Sequence, residues 1–175
     1  VIASVDWLVK DKGFSVQRIG LYGDSMGAAT AAIAFGIDNR IQSLVLDNGF
    51  LDLYIIVKEE LEREGYPSWL AKGAIWAAEI FGGERLLDLS PKLAFTNHAN
   101  RPIFAMHGTA DTRVLPYHTA DMKILGEQNG ANLITWFAEN AEHSDIKYMY
   151  SEEFSKRVVK FFSDSLEGEL EPIQK

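Results

Sequence analysis

The chain has 175 residues, 47% of them hydrophobic and 24% charged, with a formal charge of −8. That is enough for one domain with a real core, and the acidic balance argues against nucleic acid or an anionic membrane as a partner. There are no cysteines, which excludes disulfides, thiolate metal sites and cysteine nucleophiles.

Val1, Ile2, Val5, Leu8 and Val9 share one helical face, predicting an amphipathic helix from Val1 to Lys12 that stops at Gly13. The pattern is already running at Val1 and no methionine opens it. The true start, with any leader, is therefore expected upstream. Arg18 to Gly23 is a short apolar run and reads as a strand. Ser25 to Gly36 reads as an alanine-rich helix packed closely against a neighbour. Gly27 to Ile37 is the longest uncharged apolar stretch, about half of the roughly 20 residues a membrane span needs. Ile41 to Leu46 (IQSLVL) is continuously apolar, the pattern of a parallel strand covered on both faces.

Leu51 to Gly82 reads as two helices, broken near Gly65 and Pro67 and stopped by Gly82-Gly83. Ser90-Pro91 opens a further short helix. Ile103 to Met106 is a third strand, Tyr117 to Asn129 a helix, Leu133 to Ala138 a fourth strand and Ser151 to Leu166 a final amphipathic helix. The tail EGELEPIQK is expected to fray. Strand and helix alternate, which implies right-handed crossovers and a mostly parallel α/β sheet of about four strands flanked by helices. Trp7 and Trp136 are expected in the core, and Glu59, Glu60 and Glu64 on a solvated helix face.

One motif stands at the first strand-to-helix junction. In LYGDSMGAAT, Ser25 lies between Gly23 and Gly27. A tight turn there would project the hydroxyl above the sheet edge in a strained conformation, so the flanking positions must lack bulk. The helix N-terminus favours negative charge, which makes the Met26 N–H a candidate oxyanion donor. The plain alternative is a serine that caps the helix.

A serine nucleophile needs a base, and four histidines are available. His143, in the loop after the last strand, is modestly preferred to His107, which directly follows the third. His98 and His118 read as surface residues. Asp111, just beyond the third strand in HGTADTRV, is the candidate acid that orients the base, with Asp47 the runner-up. Glu142 and Asp145 lie too close to His143 in sequence and read as solvated. Thr112 and Arg113 read as loop-stabilising. Ser25, Asp111 and His143 each follow a different strand, at the edge where ligands collect in open α/β sheets.

Together LYGDSMGAAT, SLVLDNGF, RPIFAMHGTADTRV and NAEHSD resemble the C-terminal part of an α/β-hydrolase fold protein, within the bacterial esterase and serine-aminopeptidase-like group. The resemblance implies Ser25 as nucleophile, Asp111 as acid and His143 as base, acting on a small-molecule acyl substrate with no cofactor and no metal. It also implies strands before the one that leads into Ser25, the nucleophile elbow, and an upstream loop that gives the second oxyanion N–H. Loss of one such donor costs about 2.7–4 kcal/mol of barrier, so the chain alone is expected to be weakly active. Without upstream strands, Arg18–Gly23 would be an open sheet edge, inviting a second copy or an N-terminal fragment to pair there. Residues 51–83 fall where such hydrolases insert a helical cap. Tyr54, Tyr66, Trp69 and Trp76 would then line an acyl pocket, or equally pack the helices onto the sheet. The expected location is cytoplasmic. The rival expectation is an impaired hydrolase scaffold that works by self-association or partner binding.

Overall fold

A computed structural model describes residues 1–83 and 85–166; the tail reading lies outside them. The elements in chain order are α1 (Ile2–Lys10), β1 (Gly20–Asp24), α2 (Met26–Ile37), β2 (Ser43–Asp47), α3 (Leu53–Arg63) and α4 (Ala71–Gly82). There follow α5 (Leu93–Thr96), β3 (Ile103–Gly108), α6 (Tyr117–Asn129), β4 (Leu133–Ala138), α7 (Ile146–Met149) and α8 (Ser151–Ser165). The four strands form one parallel sheet in the order β1-β2-β3-β4. Leu44 pairs with Leu21 on one side and with Ile103 on the other, and Ile103 pairs with Leu133.

The period of two along a strand divides the core into two layers. Leu44, Leu46, Ile103 and Ala105 point to the face covered by α1, α2, α5 and α6, where Val5, Phe35, Phe95 and Met122 are buried. Val45, Phe104 and Met106 point to the other face, where they meet Ile146 and Phe161 of α7 and α8. Both central strands are buried along their whole length. That is why they read as continuous apolar runs rather than alternating ones. Helix α2 lies close to the sheet because its inner positions are Ala28, Ala31, Ala32 and Ala34.

Strand β1 begins two residues later than expected. Ser15 caps a 3-10 turn over Val16–Arg18 by accepting from the Gln17 N–H, so the turn takes Arg18 and is capped by Ile19 before the strand begins. Helix α7 is too short for its periodicity to show in the sequence. Trp7 is not in the core: it is 51% exposed, with the Lys12 ammonium 4.8 Å from its ring centroid. Trp136 packs at the core margin against Tyr150 and beneath the Arg157 guanidinium. His98 and His118 are buried rather than on the surface. His98 is held between the Asn129 carbonyl and the Asn100 N–H. His118 meets Glu59, which also accepts from the Tyr117 hydroxyl, so this acidic residue ties α3 to α6 instead of facing only water.

Between β2 and β3, Asp52 caps α3 by accepting from the Tyr54 and Ile55 N–H groups. Ile56 packs with Ala29, Phe50 and Val114. Helix α4 buries Ala71 and Ile75 but leaves Trp76 facing solvent at 66%; just before the helix Trp69 is 75% exposed and Tyr66 is exposed as well. Those three aromatic rings therefore do not pack onto the sheet. Among the described residues no helix is long and apolar enough to cross a membrane.

Candidate active site

The site is built on the C-terminal ends of the strands. At the end of β1 the chain turns into α2 within one residue, and Ser25 takes φ 55°, ψ −119°. Non-glycine residues adopt this conformation only when their surroundings impose it. The Ser25 N–H donates to the Asp47 carbonyl at 2.8 Å, and the Ser25 carbonyl accepts from Ala28 at 3.0 Å. A Cβ on Gly23 would lie 2.3 Å from the Gly27 carbonyl oxygen, so only glycine fits there. The expected need for glycine at 27 is not found, since a Cβ at Gly27 would meet nothing within 4 Å. Ser25 stands at the cap position of α2 but makes no side-chain capping bond, so the helix-capping alternative fails.

Its hydroxyl instead lies 2.9 Å from Nε2 of His143. Nδ1 of the same ring lies 2.7 Å from Oδ2 of Asp111. An ionised carboxylate only accepts, so Nδ1 carries the proton and Nε2 is left to accept from Ser25. Asp111 is 2% exposed. Its Oδ1 accepts from the N–H groups of Arg113 and Val114, each at 2.9 Å, and its Oδ2 also accepts from Asn48 Nδ2 at 2.6 Å. Burial pushes the carboxyl up, but donors from His107, His143, Asn48 and the Val114 N–H outweigh it and hold the group well below the usual carboxylate range.

The structure thus brings Ser25, His143 and Asp111 into one hydrogen-bonded line and leaves the other candidates out of it. His107 is fully buried, with Nε2 donating to the Val114 carbonyl at 2.8 Å and Nδ1 accepting from the Thr119 hydroxyl at 2.8 Å. Its Nε2 also sits 3.3 Å from Asp111, so this histidine braces the acid loop. Asp47 accepts from the Tyr22 hydroxyl at 2.6 Å, and burial pushes its carboxyl up to about 6. The Met26 side chain is exposed and its N–H opens α2, one of the first-turn donors with no acceptor inside the helix. A Cβ on Gly108 would lie 2.2 Å from the Ala141 carbonyl oxygen, and this close approach lets the acid loop and the histidine loop meet.

Asn48 also orients the acid, a role that no pattern in the sequence signals. It follows the second strand, where catalytic groups collect, but its left-handed backbone (φ 47°) and distant partner are tertiary properties. Among the described residues no group of three or more histidine, aspartate or glutamate side chains has the geometry to hold a metal ion.

The profile of the prolyl oligopeptidase family matches residues 1–169. The chain belongs to the prolyl oligopeptidase family. This family member is 26% identical over 168 residues to the uncharacterized protein YqkD of Bacillus subtilis, an alignment that covers 94% of this chain and 53% of YqkD. An esterase of Pyrococcus furiosus superposes with a TM-score of 0.71 at 23% identity, over 94% of this chain and 60% of that one. A puromycin-hydrolyzing peptidase of Mycobacterium tuberculosis gives 0.73 at 20% identity, over 99% of this chain and 26% of the peptidase. The four-strand parallel sheet and its flanking helices are part of an α/β-hydrolase fold. The chain spans about half the length of the curated relative it matches.

Proposed function

We propose that the chain is a serine hydrolase that cleaves carboxylic esters, with thioesters and small amides as neighbouring substrates, through an acyl-enzyme on Ser25. The observation that carries this reading is the relay from Ser25 Oγ to His143 Nε2 at 2.9 Å and from His143 Nδ1 to Asp111 at 2.7 Å. His143 takes the Ser25 proton as the oxygen attacks the acyl carbon. The imidazolium that forms is stabilised by Asp111, which stays ionised because its donors keep its proton affinity low. The Met26 N–H, at the start of α2, supports the oxygen that becomes negative. His143 then protonates the leaving group, and water, deprotonated in the same way, releases the acid and restores Ser25.

Membership of the prolyl oligopeptidase family and structural likeness to an esterase and a peptidase favour acyl transfer over other uses of the fold. The second reading, a hydrolase scaffold that works by pairing, is favoured by the outer side of β1, which has no strand partner among the described residues. Pre-steady-state kinetics with p-nitrophenyl acetate separates the two. The hydrolase releases a burst of nitrophenol stoichiometric with protein. Ser25→Ala abolishes the burst, and His143→Ala lowers the rate by roughly 10³-fold or more. No burst, and turnover unchanged in Ser25→Ala, would leave the scaffold.

A further inference from the structure

We infer that Asp24 is a positioning residue that sets the Ser25–His143 distance by clamping the histidine loop onto the nucleophile elbow, an inference that rests on the proposed triad chemistry. Asp24 ends β1 and immediately precedes Ser25. Its Oδ1 accepts from the Ser144 hydroxyl at 2.6 Å and its Oδ2 from Lys147 Nζ at 2.8 Å. Ser144 immediately follows His143, and Lys147 lies in α7, the helix that the histidine loop runs into. One carboxylate therefore uses both oxygens to hold the two sides of the base's segment. Hydrogen bonds with an ionised partner are the short, strong class.

The clamp matters because the two sides of the imidazole are held differently. Toward the acid, the loops are joined by Ala110 N–H to the Ala141 carbonyl at 3.0 Å and Thr109 N–H to the Ala138 carbonyl at 2.9 Å. Asn140 N–H adds a bond to the Thr109 hydroxyl at 2.8 Å. Those bonds fix His143 relative to Asp111 whatever happens at β1. Toward the nucleophile, the hydrogen bonds among the described residues between 20–28 and 139–150 are His143 to Ser25 and the two made by Asp24. Ser144 also sits at φ 58°, a left-handed position that serine seldom takes, and its hydroxyl reaches Asp24 from there. Both Asp24 and Lys147 are half-buried, so their pair is only partly screened. Proton transfer demands close alignment, and a misplacement of about 1 Å can cost roughly 10²-fold in rate.

The test measures kcat and KM for p-nitrophenyl acetate and the rate of fluorophosphonate labelling, below every variant's unfolding midpoint. Asp24→Ala is expected to lower kcat and the labelling rate about 10- to 100-fold with KM within about twofold. Asp24→Asn, which keeps an acceptor for Ser144, recovers part of the loss. The double variant Ser144→Ala/Lys147→Met reproduces Asp24→Ala, and adding Asp24→Ala to it costs nothing further. If Asp24→Ala does not fold, that double variant carries the test. Wild-type kcat and labelling rate in the clamp variants overturn the proposal. A wild-type protein that neither turns over nor labels overturns the hydrolase reading instead. The clamp is then judged by the ¹⁵N–¹H imidazole spectrum, where Asp24→Ala must shift the His143 Nε2 resonance, and an unchanged resonance overturns it.

Discussion

Asp47, the last residue of β2, and Asp111, just beyond β3, are both out of water, yet their carboxyl groups are driven in opposite directions. Asp111 faces donors on both oxygens, whereas Asp47 has one partner, Tyr22, and a buried Oδ1 with none. Burial disfavours the charge on each, and only Asp111 has the donors to reverse that. Stability follows from the signs. The contribution of Asp111 is complete above the unfolded carboxylate range near pH 4 and is lost as the solution is acidified below it. Asp47 binds its proton more tightly folded than unfolded, so its contribution falls as pH rises from about 4 to about 6. Urea titrations should show wild type losing stability relative to Asp47→Asn across that interval; a constant difference would contradict the assignment. Asp111→Asn removes the charge that orients His143 and should lower kcat by roughly 10⁴-fold while the fold survives. That Ser25, Asp111 and His143 share one sheet edge was legible because each follows a strand, whereas the preference over Asp47 and His107 came with the resemblance to the hydrolase group. The bracing by Asn48 and His107 was not legible, because their partners are fixed by packing and not by spacing.

Helix α6 and strand β4 match their predicted bounds because turn residues frame them on both sides, including Gly130 in the left-handed region. Arg101 shows what spacing cannot reveal. It reads as a residue leading into β3, yet its buried guanidinium donates to the carbonyls of Phe35, Asp38, Ile41, Asn97 and His98. Three of these belong to the end of α2 and the link into β2, and the guanidinium carbon lies 3.9 Å from the Phe35 ring centroid. One side chain thus closes the C-terminal end of α2 onto α5 and β3. Arg101→Met leaves those carbonyls without a donor and should cost about 3 kcal/mol or more, read as a lower urea midpoint at unchanged slope. A loss below about 1 kcal/mol would show that water replaces the guanidinium. Gly23→Ala should be comparably damaging, because the backbone it would strike belongs to the same turn that presents Ser25.

Across the whole molecule, the alternation of apolar runs and helical stripes was sufficient to give a parallel sheet with both central strands covered. The packing of residues 51–83 was not legible: α3 and α4 bury an inner seam, but apolar rings read as pocket or packing face outward. Strand β1 hydrogen-bonds to β2 on one side, and its other side has no strand partner among the described residues. We propose that pairing fills this edge, by a second copy or by an N-terminal fragment, and in sedimentation a second copy shows as a species heavier than the 19.6 kDa chain. A monomer whose β1 amides exchange rapidly would contradict pairing and leave the site chemistry untouched. That chemistry is tested most directly by intact-mass analysis and peptide mapping after fluorophosphonate treatment. One adduct is predicted, on the peptide that holds Ser25, absent in Ser25→Ala and formed at least about 10²-fold more slowly in His143→Ala. A wild-type protein left unmodified under conditions that label another serine hydrolase would contradict the account.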